Sequence, residues 1–154
     1  MMSRKRAGAL AGGLLVAFVG VVAWLPGQQA RPIPITVYKS PTCGCCSAWN
    51  DHMTANGFAV TVRDTENLTP VKTDAGVPVR LQSCHTAIVE GYVVEGHVPA
   101  DLVKKLLAEK PRAAGLAVAG MPIGSPGMEQ GPTKQPFDVL LFDAQGRSTV
   151  YAKR

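Results

Sequence analysis

The sequence predicts a single α/β domain over residues 31–154, and two observations carry that prediction. Strand-like and helix-like segments follow one another as β-α-β and then β-β-α, and a Cys-x-x-Cys, Cys43 to Cys46, falls at the first strand-to-helix junction. That order, with that motif at that junction, is a thioredoxin-like arrangement: a central sheet with flanking helices, here extended by a C-terminal Gly/Pro-rich loop and a β-hairpin.

Each element has its own signal. Ile33 to Tyr38 is β-branched and aromatic with prolines only near its start, which suits a strand. Ser40-Pro41-Thr42 turns the chain into the cysteines, and Cys46 to Asn56 reads as a helix with Trp49 and Met53 on one side and Asn56-Gly57 as its stop. Phe58 to Arg63 alternates as a second strand, and Asn67 to Gly76 forms a short helix or turn. Thr86 to Glu90 and Tyr92 to Glu95 are short strands hinged at Gly91. Pro99-Ala100-Asp101 opens a helix through Lys110 whose apolar side is Leu102, Val103, Leu106 and Leu107, with Pro111 beyond it. Ala119 to Pro136 is rich in Gly and Pro and reads as a long irregular loop; loops of that length in compact domains usually serve function or are disordered. Asp138 to Asp143 and Ser148 to Ala152 then pair across Ala144-Gln145-Gly146-Arg147.

Residues 1–30 have a different character. Arg4, Lys5 and Arg6 precede an uncharged apolar run from Ala7 to Leu25, broken by Pro26-Gly27 and followed by Gln28-Gln29-Ala30. This is the pattern of a signal peptide, and the run is also long enough for an N-terminal membrane anchor. Either reading sends residues 31–154 across the membrane, so the expected location is periplasmic, soluble after cleavage or anchored to the inner membrane. The three basic residues of that segment supply most of the formal net charge of +5, leaving about +2 of scattered charge on the rest. That is no electrostatic footprint for nucleic acid. Membrane contact is expected through the N-terminal segment alone.

Chemistry is concentrated in two segments. Cys43, Cys45 and Cys46 lie within four consecutive positions, and Cys84 is followed directly by His85. Cys43 and Cys46, three apart at a helix start, share one face, where unpaired N–H groups and the helix dipole favour thiolate. Cys45 adds a sulfur that a simple dithiol enzyme does not need. In a thioredoxin-like domain the loop before the third strand faces the Cys-x-x-Cys and normally carries a cis-proline; here it reads Ser83-Cys84-His85-Thr86. Four sulfurs and an imidazole converging there favour a soft metal, Cu(I) or Zn(II), over disulfide exchange.

Two other readings stand beside this one. Four cysteines in an exported domain are by default two disulfides, although adjacent Cys45 and Cys46 fit that scheme badly and a domain of this size does not depend on staples. A thiol–disulfide oxidoreductase would use Cys43 as attacking thiol and Cys46 as resolving thiol. Met121 and Met128, placed in the Gly/Pro-rich loop, are candidate thioether ligands or covers for Cu(I), and they weigh against zinc. His52 and His97 are weaker candidates, since a lone histidine is more often a surface or satisfied side chain than a ligand.

The combined motifs resemble a known family. Val37 to Cys46, Ser83-Cys84-His85-Thr86-Ala87, Gly91-Tyr92, Glu95-Gly96-His97-Val98-Pro99 and Gly120 to Glu129 are similar to the CopG-type proteins, small exported proteins long described as a domain of unknown function and often found with copper-resistance systems. The resemblance spans about residues 35–152. It implies a thioredoxin-like domain that binds copper through its cysteines and takes part in periplasmic copper detoxification. By position, Cys43, Cys45, Cys46 and Cys84 would be thiolate ligands, one or several copper ions would be bound, and His85, Met121 and Met128 would lie nearby. Copper redox conversion and contact with other periplasmic copper-handling proteins are further expectations. His97 falls in a shared motif without an assigned role.

Overall fold

The structure is a computed structural model that describes residues 31–154; the signal or anchor reading of residues 1–30 lies outside the described residues. Among the described residues no helix is long and apolar enough to cross a membrane. The elements in chain order are β1 (Ile33–Lys39), α1 (Gly44–Ala55), β2 (Phe58–Asp64), α2 (Thr69–Asp74), a 3-10 turn (Val79–Leu81), β3 (His85–Val89), β4 (Tyr92–Glu95), α3 (Ala100–Glu109), β5 (Gly115–Ala117), β6 (Asp138–Phe142) and β7 (Ser148–Lys153).

One seven-stranded mixed sheet runs β2-β1-β3-β4-β5-β6-β7. β1 pairs parallel with β2 and antiparallel with β3, so the βαβ and ββα halves meet side by side where β1 pairs with β3. The C-terminal hairpin is not an appendage. Three residues to which the sequence pattern assigns no element, Gly115 to Ala117, form β5, which pairs parallel with β4 and antiparallel with β6 and so joins the hairpin to the main sheet. Gly115 allows this because its backbone is pressed so closely on Val93 that a Cβ would collide with it.

The two faces of the sheet carry separate cores, and strand parity decides which residue sees which. Trp49 and Met53 of α1 and Leu102, Val103 and Leu106 of α3 pack with Ile35, Val37, Ala87, Val89 and Val94. On the other face, Val77 and Leu81 near α2 pack with Val93, Ala117 and Phe142, with Ile88 against them. Alternation along β3 therefore directs His85 to the α1 face and Thr86 to the α2 face, and along β4 it directs Glu95 to the α2 face. The long loop predicted over 119–136 holds no helix or strand, only an isolated bridge between Gln130 and Thr133.

Candidate metal centre

α1 begins one residue after Cys43, earlier than the helix period alone indicates, so all three clustered cysteines sit at its first turn. Cys43 is the N-cap residue and supplies no side-chain cap; Ser47 N–H donates to the Cys43 carbonyl at 3.2 Å. The first amides of the helix are thus left without a side-chain cap at the end of α1 where the cluster sits. Antiparallel pairing of β1 with β3, with Lys39 opposite His85, brings the start of β3 alongside the end of β1. Cys84 arrives there from the other half of the fold. The Sγ atoms of Cys43, Cys45, Cys46 and Cys84 all lie within 4.8 Å of one another. The structure thus brings together the four cysteines singled out in the sequence.

Cys43 and Cys46 are joined as a disulfide, with Cα atoms 5.4 Å apart, while Cys45 and Cys84 are free thiols. The pairing expected of a two-disulfide scaffold is absent. Cys45 Sγ stands 3.5 Å from Cys43 Sγ, and Cys46 is fully buried. Burial, with the charge of Cys45 second, pushes the Cys84 thiol up to about 12, so at neutral pH it is protonated until something replaces the proton.

Two imidazoles flank Cys84. His85, predicted as a site residue, lies with its Nδ1 3.3 Å from Cys84 Sγ and its ring centroid 4.4 Å from that of Trp49. Its ring is completely buried and its Nε2 has no hydrogen-bond partner. Burial first, then the neighbouring His97 and Lys72, holds it well below the usual imidazole range, so it is neutral. His97 is the residue that sequence reasoning left without a role. Its Nε2 is 3.0 Å from Cys84 Sγ and its Nδ1 2.8 Å from the Pro126 carbonyl oxygen, and burial lowers its pKa. Cys84, His85 and His97 form a second group of donors within 4.8 Å. His52 is not among them: its Nε2 accepts the Ala100 N–H at 3.1 Å, tying α1 to the start of α3.

On the opposite face a buried carboxylate holds the Cys84-His85 pair in place from both sides. Glu95 Oε1 accepts the Ser83 N–H at 2.6 Å and Lys72 Nζ at 2.5 Å, and Oε2 accepts the Thr86 hydroxyl at 2.6 Å. Ser83 and Thr86 are the residues immediately before and after the pair. Lys72 and Glu95 are both buried, and Gly96 N–H donates to the His85 carbonyl at 3.0 Å. Gly96 has φ +69°, and a Cβ there would lie 2.6 Å from Ser83 and from the Val118 carbonyl, so glycine is required for this turn.

The Gly/Pro-rich loop closes over the helix start. Gly127, φ +83°, sits so near α1 that a Cβ would lie 2.7 Å from the Cys45 carbonyl oxygen and the Trp49 nitrogen. Ser125 and Pro126 are buried there, Met128 is half-buried beside Gly127, and Met121 is 52% exposed. Ser83 Oγ donates to the Gly120 carbonyl, fastening the loop's other end to the cysteine segment. A separate surface cavity of about 500 Å³, lined by Arg112, Asp143, Gln145 and Arg147, contains none of these residues.

As a donor set, four sulfurs with two imidazoles at their edge fit a soft or borderline metal; hard, oxygen-seeking cations find no carboxylate among them. A family model described as "Protein of unknown function, DUF411" matches residues 81–128, the segment from the 3-10 turn through Cys84, His85 and His97 to Met128. Two solved structures, of copper resistance protein CopG in its form 2 and its form 1, are each 42% identical to this chain, cover 80% of it and 98% of themselves, and superpose with TM-scores of 0.77 and 0.76. No curated protein matches the chain.

Proposed function

Because this chain belongs to the CopG family of copper resistance proteins, we propose that it binds Cu(I) at the thiolates of Cys43, Cys45, Cys46 and Cys84 once the Cys43–Cys46 disulfide is reduced. The observation that carries this reading is the convergence of four sulfur atoms, three from one helix start and one from a distant strand, within 4.8 Å. Bridging thiolates let such a set hold more than one ion. The loop carrying Met121 and Met128 packs on that helix start, which supports a role for its thioethers as outer ligands or as a cover. The β2-β1-β3-β4 order, with β1 and β2 parallel and β3 antiparallel to both its neighbours, supports a thioredoxin-like core. The basic and apolar character of residues 1–30 supports work in the periplasm.

The experiment is an anaerobic titration of the reduced chain with Cu(I) against a chelator. We expect Cys84→Ser to weaken binding on the order of 100-fold, since even supporting residues of metal sites are worth 10–100-fold. Equal affinity in the two proteins would remove Cys84 from the site.

The disulfide itself favours a second reading. Cys43 is half-buried rather than sealed, and a joined Cys43–Cys46 can exchange with a thiol substrate: the attacking thiolate bonds to Cys43 and Cys46 leaves as thiolate. The same couple supplies two electrons, so the reduced dithiol can convert two Cu(II) to two Cu(I) as the disulfide forms. Cys45, 3.5 Å from Cys43, is an internal competitor for any such mixed disulfide. Insulin reduction that survives both Cys45→Ser and Cys84→Ser would favour the oxidoreductase.

A further inference from the structure

The two imidazoles beside Cys84 differ in what their other nitrogen meets. His97 Nδ1 faces the Pro126 carbonyl oxygen at 2.8 Å. A carbonyl only accepts, so Nδ1 carries the proton and Nε2, 3.0 Å from Cys84 Sγ, presents a lone pair to the sulfur. A ring oriented by a backbone carbonyl on one nitrogen, with the other bare, is the arrangement that metal-binding histidines adopt. His85 is the reverse case. A metal on its Nδ1 would force the proton onto Nε2, which is buried with nothing to donate to. A buried donor left without an acceptor is destabilising, which disfavours that tautomer. With the proton on Nδ1 instead, the ring donates to the Cys84 sulfur and leaves only a lone pair against its neighbours.

The Cys43–Cys46 disulfide removes two sulfurs from the four-sulfur set and leaves the Cys84 sulfur and the His97 ring unbonded, although Cys46 Sγ lies 3.9 Å from the Cys84 carbonyl oxygen. We propose that Cys84 and His97 form a mixed sulfur–nitrogen site that binds a borderline divalent cation of the Zn(II) or Cu(II) class while Cys43 and Cys46 are joined, with His85 donating a hydrogen bond to the sulfur and not ligating. The site rests on the copper reading above only in placing metal at Cys84. Zinc–sulfur and zinc–nitrogen bonds of about 2.3 and 2.0 Å in a tetrahedron set sulfur and nitrogen roughly 3.5 Å apart. The present 3.0 Å therefore has to open by roughly half an ångström, a small adjustment for one thiol and one ring. Cys45, within 4.8 Å of Cys84, and water on the half-buried side complete the shell. Binding replaces the thiol protons of Cys84 and of Cys45, which leave to solvent, so charge and atoms balance without any oxidant.

The probes are Co(II) and Zn(II), which neither oxidise thiols nor reduce disulfides under anaerobic conditions, added to the whole chain with its Cys43–Cys46 disulfide intact. One equivalent of Co(II) is expected to produce a thiolate-to-cobalt charge-transfer band with the visible absorption of a tetrahedral ion. Cys84→Ser is expected to abolish the band and His97→Ala to weaken binding on the order of 100-fold. His85→Phe is expected to keep the charge-transfer band but shift it, because the sulfur loses its donor, and to cost less affinity than His97→Ala. In unmutated protein carrying Zn(II), imidazole nitrogen NMR is expected to show one Nε2 shifted by metal with its Nδ1 still protonated, a readout that needs no variant to fold. No Co(II) uptake by the disulfide form, or a metal shift at an Nδ1, would overturn the proposal. Neither result touches Cu(I) binding by the reduced cluster, which is measured separately.

Discussion

Cys84 is the residue on which the two halves of the site depend. It is the one cysteine of the four that does not come from the start of α1, and it is the contact point of both imidazoles. Its thiol, pushed up to about 12 by burial and by Cys45, must give up a proton before it can hold copper. Apparent Cu(I) affinity of the reduced chain should therefore rise with pH through the neutral range, by up to about tenfold per unit for each proton displaced. Chelator competition at two pH values one unit apart measures this; a pH-independent affinity would mean that Cys84 is already ionised or not a ligand. The four cysteines were legible in the sequence because three are neighbours and the fourth stands beside a histidine at the start of a readable strand. His97 was not. Its approach to Cys84 depends on the pairing of β3 with β4 and on the Gly96 turn, and its tautomer on a carbonyl of Pro126 far along the chain.

The strands β3 and β4 act as a two-sided mount. One face turns His85 toward α1, and the other turns Thr86 and Glu95 toward Lys72 of α2. A carboxylate accepting three hydrogen bonds with a buried ammonium among them is costly to break from one side. Lys72→Met should destabilise the domain by about 3–5 kcal/mol, because it leaves Glu95 buried and uncompensated. Denaturant unfolding checks this, and a change under about 1 kcal/mol would contradict the buried pairing. The loop from Ala119 to Pro136 makes its own prediction. Gly127→Ala adds a side chain 2.7 Å from the Cys45 carbonyl at φ +83°, so the loop must lift from α1, at a cost of about 1–3 kcal/mol. Cu(I) should then dissociate faster, as stopped-flow transfer to a chelator would show; an unchanged rate would mean that the loop does not cover the cluster. Hydrophobic alternation made β1 to β4 and α3 readable within a residue or two. β5 escaped because three residues beginning with glycine carry no period, and its existence follows from the two strands it lies between.

Across the domain three imidazoles are held neutral by burial. His52, His85 and His97 all have pKa values lowered from 6.5, with desolvation as the first cause in each. The unfolded chain takes up their protons first, so their contribution to stability is complete above 6.5 and is lost as pH falls through the folded values. Glu95 has the opposite sign: burial raises its pKa above 4.5, so it costs stability as pH rises through its own window. The metal-free protein should therefore lose stability between about pH 7 and about pH 5.5, where the histidines dominate, and a flat denaturant midpoint across that range would contradict their neutral burial. The same buried rings line a site that gathers every cysteine of the chain at one helix start. X-ray absorption of the reduced, Cu(I)-loaded protein tests that gathering most directly. A Cu(I) edge with a sulfur-dominated first shell, lost in part when Cys84 is replaced by serine, is the predicted result; a shell of nitrogen and oxygen, unaffected by that replacement, would contradict the assignment of copper to the four cysteines.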